Sequence, residues 1–319
     1  MSVRIVVIGA GHMGRLHAQK VVALSQEGIG VELTGVVDID AVRAEQLGQK
    51  VGVPAATDLR ALVDQADAAV VAVPTIEHFK VVRDVLAAGC DVLVEKPIAA
   101  TLAEAEDMLA LARDGGRVLQ VGHLEWFNAA MGVIRHHIRE PRFVEVTRVG
   151  PFPGRATDID VVRDLMIHDL DILQQILGEE PVEIEAVGVA VLTEQIDFAN
   201  ARLTFPGGCV ATLTASRVSR FARRELRFFQ SNGCFSMDLL AQSASIVHLS
   251  PPDDNGETRE VCTERLEVGR ADALLDQLRD FVRAVRTREP PIVAAADAFG
   301  ALRTALRVVD AMPRLEPMK

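Results

Sequence analysis

Apolar and polar positions alternate on two different periods along the first third of the chain. Val3-Arg4-Ile5-Val6-Val7-Ile8 is a short run rich in β-branched residues, and comparable runs recur at 31–37, 68–73, 91–94 and 118–121. Runs of this length and composition predict buried strands. Between them, stretches near 12–25, 40–49, 76–88 and 101–113 carry helical signals, with Gly89 and Gly115-Gly116 as stops. Alternating strands and helices predict a parallel sheet with helices on both faces.

After residue 122 the pattern changes. A helix near 128–139, a strand near 142–149 and the loop Gly150-Pro151-Phe152-Pro153-Gly154 lead into a helix at about 162–177, stopped by Gly178. Strand-like runs follow at 182–192, 198–205, 209–218, 224–230, 233–238, 244–249 and 259–267. Several are separated by turn signals such as Pro206-Gly207-Gly208 and Ser231-Asn232-Gly233. Two helices, near 271–288 and 295–310, close the chain. The expected fold class is α/β. A doubly wound parallel sheet occupies 1–122, and an α+β domain with a large, mainly antiparallel open sheet occupies 123–319. The chain has 319 residues, 49% of them hydrophobic, enough for two cores.

The turn after the first strand reads Gly9-Ala10-Gly11-His12-Met13-Gly14, with the spacing G-x-G-x-x-G. Between a strand and a helix this is a dinucleotide fingerprint. The first glycine makes the tight turn, the second admits a pyrophosphate, and the third lets the helix pack on the strand. The second strand ends at Asp38, where an acid accepts from a ribose diol and repels a 2′-phosphate, so NAD is expected rather than NADP. Pro74 and His78, in the turn after the third run, face the same edge, as do Glu95 and Lys96. The alternative is a glycine turn in some other βαβ unit, with Asp38 as a helix cap.

Charge and composition narrow the classes further. A net charge of −11 argues against a general nucleic-acid binder. No run reaches the ~18 apolar residues that cross a bilayer. The first strand begins almost at once, without room for a signal peptide; the expected location is the cytoplasm. Cys90, Cys209, Cys234 and Cys262 are scattered, and no metal constellation is expected. The chain lacks tyrosine, which removes the Tyr/Lys chemistry of short-chain dehydrogenases.

Lys96, just past a strand, is placed to hydrogen-bond a substrate hydroxyl and stabilise alkoxide charge; the alternative is a solvated lysine. In the 162–177 helix, Asp164, His168 and Asp171 share one narrow face on an otherwise apolar helix. Such a stripe suits a wet pocket, with His168 as general base and Asp164 orienting substrate or stabilising the imidazolium. A His/Asp pair that merely fixes packing is the alternative. His123, after the last parallel strand, is a candidate pocket residue. The loop before the helix holds Arg148, Arg155, Asp158 and Asp160. In it, Arg155 is a candidate for an anionic group and Asp158 for sugar hydroxyls. A cluster of Arg217, Arg220, Arg223 and Arg224 lies near a turn, as an oligomer interface or exposed edge.

The glycine turn, Glu95-Lys96-Pro97, and Asp164 through His168, in that order and spacing, resemble the glucose–fructose oxidoreductase/inositol dehydrogenase (Gfo/Idh/MocA) family over nearly the whole chain. The resemblance implies a Rossmann domain followed by an open-sheet domain, with Lys96, Asp164 and His168 as the catalytic trio. It also implies homodimers or homotetramers that pair through the sheet. Gly122 to Asn128 and Asp164 to Asp171 are similar to a subgroup acting on UDP-sugars. That implies NAD-dependent oxidation of a ring hydroxyl, best placed at C3 of a UDP-N-acetylhexosamine. An inositol or free-sugar dehydrogenase is the nearest alternative. A catalytically silent, NAD-binding regulator is the alternative of another class.

Overall fold

The computed structural model describes residues 2–152, 154, 159–252 and 259–313. Its contacts divide the chain into two compact units, Met1–Leu124 with Asp272–Phe299, and Glu125–Ala271 with Gly300–Lys319.

The first unit is built on a parallel six-stranded sheet. Its strands are β1 (Val3–Ile8), β2 (Val31–Val37), β3 (Ala55–Ala56), β4 (Ala68–Val71), β5 (Asp91–Val94) and β6 (Leu119–Val121). Their order is β3-β2-β1-β4-β5-β6, every neighbouring pair parallel. The helices are α1 (His12–Gln26), α2 (Ala41–Val51), α3 (His78–Ala87) and α4 (Leu102–Asp114). Thr101 and Glu104 close a capping box at the start of α4, which satisfies two otherwise orphaned N–H groups. β1 is central because Ile5, Val6 and Val7 are wholly buried on both faces, as a parallel sheet requires.

A helix from the far end of the sequence completes this unit. Leu278, Phe281, Val282 and Val285 of α7 (Ala273–Thr287) join the core formed by Val3, Ile5, Val7, Ala18 and Val21. Lys20 meets Asp272, and Arg288 binds the buried Asp91 at 2.8 Å.

The second unit carries an eight-stranded sheet. It comprises β7 (Phe143–Val149), β8 (Glu183–Val189), β9 (Phe198–Thr204), β10 (Val210–Ser216), β11 (Arg223–Gln230), β12 (Gly233–Asp238), β13 (Ser243–Leu249) and β14 (Val261–Leu266). The order is β14-β13-β12-β11-β7-β10-β9-β8. Only β7 and β10 pair in parallel. One face is buried through Val144, Val146, Ala211, Leu213, Leu226 and Phe228. The other is polar and part-exposed, with apolar Val187, Val189, Val247 and Leu249 among it. The helices are α5 (Ala129–Ile134), which packs on β12 and β13, α6 (Ile167–Leu177), and, from Gly300 onward, α8 (Ala295–Asp310), whose Thr304 accepts from Gln174 of α6.

Three expectations are corrected. The helix expected over 128–139 is limited to Ala129–Ile134, so His136 and His137 lie beyond it. Arg148 is not in a loop; it is the last inward-facing residue of β7 and is 3% exposed. Arg217 is not at an exposed edge: it is 1% exposed and paired with Asp197 at 2.6 Å.

That pair holds a loop together. Asp197 also accepts from the backbone N–H groups of Val191, Leu192 and Thr193, and Arg217 donates to the carbonyl of Ile159. Burial works to raise the Asp197 pKa, but the donors from Leu192, Arg217, Thr193 and Val191 outweigh it and hold the carboxyl far below its ordinary range. Asp197→Ala takes the carboxylate of this pair away from a buried guanidinium and is expected to cost about 3–5 kcal/mol in denaturant unfolding. Because the folded pKa is depressed, the stabilisation is complete above the unfolded carboxyl range and is lost as pH falls. The gap between wild type and variant therefore narrows below about pH 4.

Candidate active site

Three glycines after β1 play separate roles. Gly9 has φ +100°, and a Cβ there would stand 2.3 Å from the carbonyl oxygen of Ala72, so only glycine fits the turn. A Cβ on Gly14 would stand 1.7 Å from the Gly9 carbonyl oxygen, so α1 sits flush against the turn. Gly11 is different: a Cβ there meets nothing within 4 Å. The space beside it belongs to a cavity of about 390 Å³ whose lining includes Ala10, Gly11, His12, Arg15, Arg43 and Lys50. Met13 and Gly14 lie in the first turn of α1, whose N-terminal N–H groups favour an anion. The open backbone, the helix end and the cations fit a dinucleotide's pyrophosphate.

Asp38 stands at the tip of β2, as expected. Its Oδ2 accepts from the Ala10 N–H at 2.7 Å and its Oδ1 from the Asp40 N–H at 2.9 Å. The carboxylate thus ties the glycine turn to β2, and each oxygen keeps a lone pair for a ribose hydroxyl. The cap of α2 is Asp40, which accepts from Val42 and Arg43.

Glu95 and Lys96 follow β5 directly, and the Lys96–Pro97 bond is cis. Glu95 is buried; its Oε2 accepts from the Lys96 N–H at 3.3 Å, and its Oε1 lies 2.7 Å from Nε2 of the buried His17. Burial acts to raise the Glu95 pKa, but His17 and Lys96 overcome it and lower it. A charged carboxylate therefore links α1 to the Lys96 turn. His123, after β6, is also buried. Burial first and the Lys96 charge second push its pKa down to about 3. It is a neutral imidazole at neutral pH, able to hydrogen-bond but not to serve as a base. His78 is held by the backbone: Nδ1 lies 2.9 Å from the Pro97 carbonyl and Nε2 3.0 Å from that of Val73. Burial lowers its pKa, and a neutral ring donates to one of the two. Pro74 caps the short turn Thr75–Glu77 that precedes α3.

In the second unit, Asp164 is half-buried within a π-helical turn, Val162–Met166, and His168 is buried at the start of α6. The π turn replaces the regular spacing expected between them, a widening often found at functional sites. Asp160 fixes the turn by accepting from the Arg163 N–H at 2.8 Å and from its guanidinium at 2.5 Å. Next to His168, Asp169 is gripped bidentately by Arg148 at 2.8 and 2.7 Å, and Arg148 also donates to Glu125 at 2.6 Å. All three are buried. Burial opposes the charge on Arg148, but Asp169 and Glu125 outweigh it and raise its pKa. Asp171 is buried and accepts from Gln175 at 2.9 Å.

Thus Glu95, Lys96 and His123 come together in one unit, and Asp164 and His168 in the other. Arg155 and Asp158 lie outside the described residues. Sequence reasoning missed the His17–Glu95 link and the Glu125–Arg148–Asp169 network. The latter had one signal, since Arg148 continues the inward alternation of Val144 and Val146.

A parallel sheet of this order with an open glycine turn and an acid at the tip of β2 makes a dinucleotide-binding α/β domain. Residues 3–123 match the model of the Gfo/Idh/MocA oxidoreductase family with its NAD-binding Rossmann fold, and residues 135–236 match that family's C-terminal domain. The chain belongs to this family, and its cofactor is NAD. It is 36% identical over 303 residues to a UDP-N-acetylglucosamine 3-dehydrogenase of Acidithiobacillus ferrooxidans, covering 95% of each. A solved structure of that enzyme superposes with a TM-score of 0.90 at 35% identity, over 98% of both chains. A myo-inositol 2-dehydrogenase of Thermotoga maritima is 25% identical over 94% of this chain and 93% of its own. Among the described residues, no helix is long and apolar enough to cross a membrane.

The glycines separate binding from folding. Gly11→Val is expected to leave the unfolding temperature unchanged and to weaken NADH binding at least about tenfold, ~1.4 kcal/mol, measured by fluorescence titration. Gly14→Ala, which collides with backbone, lowers the unfolding temperature itself.

Proposed function

We propose that the protein is an NAD-dependent dehydrogenase of a UDP-N-acetylhexosamine that oxidises the ring hydroxyl at C3. The observation that carries this reading is the near full-length likeness to the Acidithiobacillus ferrooxidans enzyme, at 36% identity. Its catalytic residues are Lys96, Asp164 and His168. The Lys96 ammonium hydrogen-bonds the reacting oxygen and stabilises the alkoxide as it forms. His168 takes the hydroxyl proton. Asp164 orients the substrate and stabilises the imidazolium. Bound NAD supplies the hydride acceptor. His123, neutral beside Lys96, offers a hydrogen bond to the substrate without competing for the proton.

The neighbouring reading, an inositol or free-sugar dehydrogenase, has the weaker likeness to the Thermotoga maritima enzyme behind it. In the cell the enzyme works in the cytoplasm. A second copy of the chain covers the part-exposed sheet face that carries Val187, Val189, Val247 and Leu249.

Incubation with NAD and UDP-N-acetylglucosamine is expected to yield reduced cofactor at 340 nm and a 3-keto sugar nucleotide by mass spectrometry. Absence of turnover with this and other UDP-hexoses, alongside turnover of inositol, overturns the substrate assignment. His168→Ala is expected to lower kcat by ~10²–10⁴ with little change in NADH affinity. Val247→Glu is expected to shift the mass measured by light scattering toward the monomer.

A further inference from the structure

We propose that Arg224 is a substrate contact, and that its guanidinium holds two oxygens of the phosphoryl group that a nucleotide sugar carries at C1. This rests on the preceding reading that the substrate is a sugar nucleotide.

Arg224 belongs to the arginine-rich segment at 217–224, and the structure sorts its members by what occupies them. Arg217 is buried against Asp197, Arg223 pairs with Glu225 at 2.6 Å, and Arg220 stands exposed on the turn. Arg224 lies in β11 directly across from Arg148 of β7. Two cations opposite one another on adjacent strands repel, so a partner is needed for each. Arg148 has its partners: both oxygens of Asp169 and one of Glu125, all within 2.8 Å. Among the described residues Arg224 reaches only the same Glu125 oxygen, through Nη1, at 3.4 Å, a distance at the limit of a hydrogen bond.

The remaining donors of Arg224 are therefore unspent. Among the described residues no hydrogen bond involves its Nε–H or its Nη2–H, and 42% of the side chain is exposed. Nε–H and Nη2–H form one edge of the planar fork, the edge that takes two oxygens of a phosphoryl or carboxylate group side by side. Arg224 supplies the second positive charge that balances Asp169 and Glu125 around Arg148, but that role uses Nη1 alone and leaves the Nε/Nη2 edge for a further group.

Location gives the edge its meaning. Arg224 stands across from Arg148, which grips Asp169, the residue next to His168 of the proposed trio. In a hexose oxidised at C3, C1 is two bonds from the reacting carbon, so a phosphoryl group on O1 is carried to the same neighbourhood. The protein's strongly acidic balance, −11 overall, makes a local cation necessary for such a group. A ring carboxylate has the same fork chemistry. The phosphoryl group is favoured because the sugar-nucleotide reading supplies it.

The test uses the NADH-loaded enzyme and titration calorimetry with three probes: UDP-N-acetylglucosamine, glucuronate and free N-acetylglucosamine. Arg224→Met is expected to weaken UDP-N-acetylglucosamine binding ~10- to 100-fold, the loss of a charge-assisted pair, and to raise KM more than it lowers kcat. Arg224→Lys recovers part of the affinity. NADH affinity, unfolding temperature and binding of the free sugar are expected to stay as in wild type. Equal affinity of wild type and Arg224→Met for UDP-N-acetylglucosamine overturns the contact. So does an equal loss for the free sugar, which marks a structural role. Arg224-dependent binding of glucuronate without binding of the sugar nucleotide overturns the phosphoryl assignment. Arg224-dependent binding of UDP-N-acetylglucosamine without turnover leaves the contact standing and overturns the proposed reaction instead.

Discussion

A guanidinium buried between two carboxylates sets the geometry of the second unit. Arg148 comes from the sheet, Asp169 from α6, and Glu125 from the short turn that begins the unit. None of the three is tolerable alone in an apolar interior, since removing one partner of such a network costs about 3–5 kcal/mol. Each therefore forces the position of the others. Apolar packing of Ile167, Leu170, Ile172 and Leu173 buries α6, but oily contacts leave a helix some freedom to roll or slide. A bidentate fork to the residue next to His168 removes that freedom, because both oxygens of Asp169 must meet Nε and Nη2 together. The helical turn that carries His168 is thus held by charge as well as by packing.

The first unit applies the same physics to its loops. Asp38 and Glu95 are both buried carboxylates at the ends of strands, and both accept a backbone N–H from the segment they must hold. Asp38 fixes the glycine turn, and Glu95, steadied by His17, fixes the turn that carries Lys96. Loops that bear chemistry are exposed to water on one side and lack the ladder bonds of strands. A charged acceptor behind them substitutes for that missing order.

Periodicity made much of this legible from sequence. Strand and helix alternation requires only local reading, and Gly9, Gly11, Gly14 and Asp38 form a motif whose physical demands are local too. What stayed hidden depends on pairing between distant positions. α7 contributes Leu278 and Phe281 to a core begun by Val3 and Ile5, and nothing in its amphipathic pattern names the surface it covers. The π turn at Val162–Met166 leaves no periodic signature. Arg148, Arg217 and Arg224 look alike in the sequence. They differ in burial and in the carboxylates that other segments bring to them: Asp169 and Glu125 to Arg148, Asp197 to Arg217, and Glu125 at 3.4 Å to Arg224.

Two histidines illustrate how environment, rather than residue type, divides the roles. His123 is buried near Lys96, and burial together with that ammonium keeps its ring neutral down to a pKa of about 3. Any pocket that uses a lysine to stabilise an alkoxide imposes this penalty on an imidazole beside it, because the same field that favours the anion disfavours a second cation. A base for the hydroxyl proton must then come from elsewhere in the chain. On the reading proposed here that base is His168, which follows the turn bearing Asp164 and adjoins Asp169.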